Sequence, residues 1–208
     1  MPATDISICS RALVTLGARP ISSFLATEGD SAVLCASIYP GLKDGIMASF
    51  PWRGLMFKKE LTREATAPIG EWDYSYLLPG DMLSMPHAVF RETAETVPEH
   101  DFEIFNQKLY TRFERILVDY TASGVSESVW PAYFVDLMVT CVCAEIAFAV
   151  TDQQSVADNW TARAYGSPSQ NKRGGAMAAA MAISSQGSGN IGFNNTAFID
   201  ARAGGWSG

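Results

Sequence analysis

The sequence predicts an α+β protein, mainly α: a helical bundle with an inserted small antiparallel β-sheet and an extended C-terminal arm. Three observations support this fold class. Apolar residues recur at helical spacing on both sides of the chain's middle, strand-like runs fill residues 52–121, and the last 22 residues contain six glycines. We therefore divide the chain into a helical core (1–51 and 122–186), a β region (52–121) and a C-terminal arm (187–208).

The first helix is expected to begin beside Thr4 or Asp5, because either side chain can cap a helix N-terminus. Apolar residues then follow at helical spacing. Gly17 and Pro20 come directly after the last of them, and glycine followed by proline is typical of a helix end.

The second helix is expected to begin at Asp30 as its cap and to end at Pro51. Pro40 lies inside this apolar pattern. Since proline lacks an amide hydrogen and its ring crowds the preceding turn, Pro40 is predicted to kink or split the helix.

Short apolar and aromatic runs then alternate with turn residues, which is the pattern of strands. Asn106 and Gln107 are predicted to form a hairpin turn inside one of these runs. The runs that we interpret as a small antiparallel sheet are Trp52–Ala65, Glu71–Leu78, Met82–Phe90, Phe102–Thr111 and Arg115–Thr121.

Aromatic residues are frequent at the start of the β region. They are Trp52, Phe57, Trp72, Tyr74 and Tyr76. Such a set could stack on nucleic acid bases, but few basic residues accompany it. We therefore interpret these side chains as packing between the sheet and the helices.

Helices are predicted to return after the β region. Ser126 or Ser128 is the expected cap, with Pro131 in the first turn, where proline is tolerated. The helix that follows is apolar on almost all sides, so it is expected to be buried in a core or between subunits. Further helices are predicted over Val156–Tyr165 and Gln170–Ser185.

Composition limits the function classes. The chain has 208 residues, of which 48% are hydrophobic and 18% charged, as expected of a well-packed globular body. Its formal net charge is −7 and it has no basic run. A protein that grips DNA phosphates would carry a cationic footprint, whereas an acidic surface suits DNA that passes without sticking.

Neither a membrane span nor a secretion signal is expected. The longest apolar segment, Val129–Val150, contains Pro131, Asp136 and Glu145, and the first residues lack the pattern of a signal peptide. The cysteines are therefore interpreted as reduced, buried thiols. They are Cys9, Cys35, Cys141 and Cys143.

No catalytic, cofactor-binding or metal-binding residue is predicted. Cys141 and Cys143 are two positions apart, so on a helix they diverge, and no second ligand pair follows. The glycines at 187, 189 and 192 match a dinucleotide fingerprint only in letters, because no strand precedes them. A hydrolase using Cys35 or Cys141 with His87 or His100 remains an alternative.

The arm combines small residues with spaced apolar anchors. Such a segment cannot bury enough apolar surface to offset its own ordering entropy. We therefore expect it to order on the body or on another subunit, which indicates assembly rather than catalysis. The residues predicted to bind a partner are Ile191, Phe193, Asn194, Phe198, Ile199 and Trp206.

Four segments resemble one family in the same order along residues 4–165. They are PWRGLMFKKEL (51–61), WDYSYLLPGDMLSM (72–85), FEIFNQKLYT with ILVDYTA (102–111 and 116–122), and VWPAYFVDLMVTCVCAEIAFAVT (129–151). The family is the tail tubular protein A group of bacteriophage head-to-tail adaptors, also called gatekeeper or connector proteins. The chain departs from it at Gly166-Ser167-Pro168 and Gly174-Gly175, where the family usually has one long final helix.

This resemblance implies a non-enzymatic structural protein of the virion, assembled in the host cytoplasm. Its partners would be the portal protein, the tail nozzle or tube protein, and other copies of itself in a dodecameric ring. Double-stranded DNA would leave through the ring without specific binding, and no membrane or cofactor would be involved. The resemblance also implies that the arm reaches the portal. A secreted or surface-binding interaction module is a third hypothesis.

Overall fold

A computed structural model describes residues 2–66, 68, 70–93 and 97–186. The fold class is α+β, mainly α, as predicted. The helices are α1 (Asp5–Thr15), α2 (Asp30–Ala48), α3 (Ala132–Thr151), α4 (Gln154–Tyr165) and α5 (Gly175–Gln186). The strands, all between α2 and α3, are β1 (Met56–Glu60), β2 (Tyr74–Leu77), β3 (Ala88–Phe90), β4 (Phe102–Phe105), β5 (Lys108–Thr111) and β6 (Leu117–Thr121).

The start and end of α1 follow the prediction. Thr4 is the N-cap, its side chain accepts a hydrogen bond from the amide of Ser7, and the Ser7 hydroxyl accepts one from the amide of Thr4. At the other end Gly17 has φ +83°, a backbone conformation that glycine adopts at little cost. α1 therefore ends where the sequence indicates.

The expected cap of α2 is wrong, and so is the expectation that Pro40 splits the helix. Gly29 is the N-cap, and Asp30 is the first helical residue, where its charge still favours the positive end of the helix. Pro40 lies within one continuous helix instead of splitting it. Pro40 is exposed, while Tyr39 and Ile46 on the neighbouring face are buried. Burial of that face stabilises the helix across the missing amide.

The strands form two three-stranded antiparallel sheets rather than the single sheet that was expected. The first has the order β1-β6-β3 and the second β2-β5-β4. The central strand of each sheet, β6 or β5, follows both of its neighbours in the sequence. Phe57 lies opposite Tyr120 in the first sheet, and Tyr76 lies opposite Leu109 in the second. Alternation along the chain predicts strands, but which strands pair depends on contacts between distant segments.

The predicted hairpin turn is confirmed between β4 and β5. Asn106 and Gln107 have φ +50° and +59°, the pair of left-handed conformations found in two-residue hairpins. Phe105 and Lys108 pair directly beside this turn, and Ile104 and Leu109 form the next pair. The turn therefore sets the register of the second sheet.

α3 starts later than the predicted caps suggest. Ser126 accepts a hydrogen bond from the amide of Ser128 at a short 3-10 turn, whereas Pro131 is the N-cap of α3. Proline provides no amide to be satisfied at this position. The predicted caps therefore belong to the turn before the helix.

The expectation that no segment is long and apolar enough to span a membrane is wrong for α3. This helix has 20 residues and a mean hydropathy of 1.9, which meet that criterion by length and composition alone. Pro131 precedes the helix and so does not interrupt it. A buried core helix meets the same criterion, and α3 packs against α1, α2, α4 and α5 with Phe134, Met138 and Ile146 inaccessible to solvent.

α4 and α5 are separated by a tight turn. α4 ends at Tyr165, a short 3-10 turn covers Pro168–Gln170, and α5 begins at Gly175 rather than near Gln170. The glycines at 174 and 175 thus stand at the start of α5 and not within it. The break that the sequence indicates at this point is present.

Candidate interaction surfaces

All six residues predicted to bind a partner lie outside the described residues. They are Ile191, Phe193, Asn194, Phe198, Ile199 and Trp206. The candidate surfaces below are therefore those of the body, residues 2–186.

The four thiols are free and buried, as predicted. A side-chain hydrogen bond with Cys35, together with burial, raises the pKa of the Cys9 thiol. Burial raises the pKa of Cys141 to about 12 and that of Cys143 to about 11. Cys9, Cys141 and Cys143, whose pKa values are raised, remain protonated near neutral pH and are poor nucleophiles. The hydrogen bond with Cys9 instead lowers the pKa of the Cys35 thiol, which is nevertheless buried.

Neither histidine forms a hydrogen bond with a cysteine within the described ranges. His87 Nε2 is 2.9 Å from Thr121 Oγ1 beside the first sheet, and burial lowers the pKa of this imidazole. His100 is exposed ahead of β4. Within the described ranges no cysteine–histidine hydrogen bond occurs, and no cluster of three or more His, Cys, Asp or Glu side chains could hold a metal ion.

The aromatic set does not form one stacking surface. Trp52 is fully buried against Phe134 in the helical core, with ring centroids 5.0 Å apart, and Tyr76 is buried with its hydroxyl donating to the carbonyl of Phe113. Phe57, in contrast, is 46% exposed. Packing is therefore the role of Trp52 and Tyr76, while Phe57 lies outside the core.

One cavity on the β region is lined by arginines but does not form a cationic footprint. It has a volume of about 500 Å³. Arg115 donates two hydrogen bonds, of 2.8 and 2.7 Å, to the Glu60 carboxylate. Arg91 and Arg112 are likewise paired with Glu99 and Asp101. Because these guanidinium groups already face carboxylates, the cavity offers little net charge to a phosphate.

The first candidate surface, which we call the α2–α5 groove, is a cavity of about 340 Å³ on the helical core. Gly41 and Gly45 of α2 and its C-cap Ser49, each four residues apart, line the groove together with Met177 and Met181 of α5. A Cβ atom built on either glycine would meet nothing within 4 Å. The groove is therefore open along α2 and mainly apolar.

Charged residues border the α2–α5 groove on the turn between α4 and α5 and on α3. Lys172 and Arg173 are exposed and, within the described chain, take part in no ion pair. The Lys172 ammonium lies 5.5 Å from the ring centroid of Tyr165. The Tyr165 hydroxyl donates to Glu145 Oε1 at 3.3 Å. One ammonium group and one carboxylate therefore both lie near Tyr165.

The turn that carries these cations is closely held. The amide of Ser167 donates to the Gln170 side chain at 2.8 Å. The amide of Gly174 donates to the Tyr165 carbonyl at 2.9 Å. A Cβ atom on Gly174 would come within 2.8 Å of the Gly166 Cα atom, so the two backbone segments touch at this point. Lys172 and Arg173 are therefore presented from a fixed backbone.

The second candidate surface, which we call the β tip, lies at the turn end of the second sheet. It surrounds a cavity of about 220 Å³ lined by residues 78–80, Met82, Met85 and residues 104–107. Met85 and Phe105 of this lining are 67% and 46% exposed, and Leu77, which precedes the lining in β2, is 57% exposed. Exposed apolar side chains around one cavity commonly mark a protein–protein contact.

Sequence reasoning found neither surface as a site. Gly41-x-x-x-Gly45-x-x-x-Ser49 was visible as a small residue in every fourth position of a predicted helix. Its open side, however, depends on where α5 packs. The exposure of Phe105 likewise depends on the pairing of β4 with β5, since either face of an isolated strand could be buried.

A scan against protein-family models found no family that matches the chain, and a search of curated proteins found no similar sequence. A function for the chain must therefore be inferred from the residues and surfaces described above.

Proposed function

We propose that this chain is a structural head-to-tail adaptor of a tailed bacteriophage, without enzymatic activity. In this proposal it forms a ring, with dodecameric symmetry expected, between the portal protein and the tail nozzle or tube. The ring lines the channel through which the genome leaves. The site of action is the head–tail interface of the virion, after assembly in the host cytoplasm.

The observation that carries the proposal is the presence of two exposed apolar surfaces on different parts of the fold. The β tip belongs entirely to the β region, while the α2–α5 groove belongs to the helices and the turn at 165–181. An adaptor needs separate surfaces for separate partners, whereas an enzyme needs converging polar groups. The buried thiols, which form no hydrogen bond with a histidine within the described ranges, favour the first type of protein.

Three further features support the adaptor. The four segments that resemble tail tubular protein A follow one another in the family's order. The net charge of −7 suits a channel that must not hold DNA by its phosphates. The arm carries apolar anchors that need a partner to order on, and a ring would combine many weak arms into strong binding.

The arm is assigned to the portal, with Phe193, Phe198 and Trp206 as its main anchors. Anchors of this kind contribute about 2 kcal/mol each, which corresponds to roughly thirtyfold in affinity. Replacing all three with alanine should abolish binding to the cognate portal, as measured by light scattering of the mixed proteins. Leu25→Ala, at a side chain that is 66% exposed on the body, provides the matched control. Unchanged portal binding by the triple variant would refute the assignment.

The β tip is assigned to the tail nozzle or tube protein. Phe105→Ser should weaken that interaction about tenfold or more, because it removes an exposed aromatic side chain from the contact. Phe57→Ser is the matched control, since Phe57 is also 46% exposed but lies on the first sheet. Equal loss of tail binding in both variants, or no loss in either, would contradict the assignment.

A further inference from the structure

We propose that, in the free protein, the α2–α5 groove is occupied by residues 198–200 of the same chain, Phe198-Ile199-Asp200. This contact concerns the chain before it meets any partner. It therefore holds or fails independently of the proposed adaptor function.

The first argument is chemical complementarity. The groove offers an apolar lining between α2 and α5, with Lys172 and Arg173 at its border. Phe198 and Ile199 are adjacent apolar residues, and Asp200 directly after them is the only acidic residue of the arm. Apolar side chains in the groove would thus bring a carboxylate to cations that lack an ion-pair partner within the described chain.

A second pair of opposite charges also fits this contact. Arg202, the only basic residue of the arm, follows Asp200 by two positions. Glu145 also lines the groove and accepts a hydrogen bond from the Tyr165 hydroxyl, and the Lys172 ammonium lies 5.5 Å from the centroid of the same ring. Residues two apart in an extended chain are about 7 Å from each other, so Asp200 and Arg202 would face Lys172 and Glu145 together.

The second argument is that the arm is long enough to return to the groove. The arm continues directly from Gln186, the last residue of α5. Twelve helical residues make α5 about 18 Å long, while the eleven residues 187–197 can span about 36 Å when extended. The arm can therefore return along α5 and place Asp200 near Lys172 without help from a second copy.

The glycines of α2 are accounted for by this contact. Each interior glycine costs a helix about 0.5–1 kcal/mol relative to alanine. Neither Gly41 nor Gly45 has a positive φ, and neither is close to another element. The fold by itself does not require them, whereas a segment lying on α2 would approach its backbone closely only where side chains are absent.

The test uses disulfide formation in the full-length chain. Met181→Cys with Ile199→Cys places one thiol in the groove and one in the arm. Leu77→Cys with Ile199→Cys is the matched control, because Leu77 is 57% exposed on the β region. The four native cysteines are buried and should not interfere. Under mild oxidation the groove pair should form a disulfide several times faster than the control pair.

Isotope mixing identifies the source of the arm. When heavy-labelled and unlabelled protein are oxidised together, cross-linked peptides should carry a single label, because the contact lies within one chain. Peptides of mixed label would show that the arm comes from a second copy and would overturn the proposal. Equal rates for the groove pair and the control pair would overturn it as well.

Two substitutions test the chemistry of the contact. Lys172→Glu should slow disulfide formation about threefold, as expected for loss of an exposed ion pair, and Asp200→Lys added to it should restore the rate. Gly45→Leu should slow it further by filling the groove, with circular dichroism confirming that the variant is folded. No effect of Gly45→Leu, or no restoration by the charge exchange, would contradict the proposal.

Discussion

Replacing Glu127 with glutamine is expected to lower the free energy of unfolding by about 2 kcal/mol. Glu127 lies in the turn before α3, and its Oε1 atom is 2.8 Å from the Lys43 ammonium on α2. The Tyr39 hydroxyl donates to the same oxygen at 3.2 Å. One carboxylate therefore joins two parts of the helical core that are far apart in sequence.

The magnitude follows from the burial of the pair. The Lys43 and Glu127 side chains are only 15% and 14% exposed. Breaking a fully buried ion pair costs about 3–5 kcal/mol, whereas an exposed pair contributes about 0.2–1 kcal/mol. Glutamine keeps the shape and one acceptor for Tyr39 but leaves the ammonium without its counter-charge. A cost between the two limits is therefore expected.

The pH dependence provides a second measurement. Burial acts to raise the pKa of Glu127, but the hydrogen bond from Lys43 acts against it and the net pKa is lowered from its ordinary value of 4.5. A lowered pKa in the folded state means that the stabilisation is complete above pH 4.5 and is lost as the pH falls through the folded pKa. The variant should lack this loss.

Urea denaturation of the wild type, Glu127→Gln, Lys43→Met and the double variant would measure the coupling between the two residues. The control is Asp136→Asn, which breaks the Arg11–Asp136 pair, with side chains 55% and 68% exposed. That change should cost less than about 0.5 kcal/mol. If Glu127→Gln cost no more than the control, or if the two single effects simply added, the inference from burial would be refuted.

Three other predictions follow from the backbone and the titratable groups. Gln107→Gly should raise the free energy of unfolding by about 0.5–1 kcal/mol, because φ is +59° there; Gln153→Gly, at φ −127°, should give no gain in the same urea titration. All four cysteines should resist a thiol reagent in the native protein at mildly alkaline pH and react in denaturant, because all four are buried and burial raises the pKa of Cys141 to about 12. Cys35, whose pKa is lowered by its hydrogen bond with Cys9, is protected by burial alone. Rapid native reaction of one thiol would revive the hydrolase hypothesis. Burial lowers the pKa of His87 from 6.5, so its contribution to stability is complete above pH 6.5 and declines as the pH falls through the lowered folded value. His87→Gln should remove that part of the pH dependence, whereas the same change at the exposed His100 should leave it in place.

Local features of the fold were predictable from the sequence because neighbouring residues decide them. Thr4 caps α1 with a side chain that reaches only the next turn, and Asn106-Gln107 forms its hairpin from two adjacent backbone conformations. The position of the strands between α2 and α3 followed from apolar alternation in the same way. The buried thiols followed from the apolar patterns in which the cysteines lie.

Features that depend on distant partners were decided only by the tertiary structure. Pro40 stays within one helix because other elements bury the neighbouring face of α2. The strands divide into two sheets because β5 pairs with β2 and β4, whereas β6 pairs with β1 and β3. The α2–α5 groove arises in the same way, since Gly41 and Gly45 of α2 line it together with Met177 and Met181 of α5, which are distant in sequence. A single sequence records which side chains can be buried locally, whereas the choice among packing partners is made by the free energy of the whole chain.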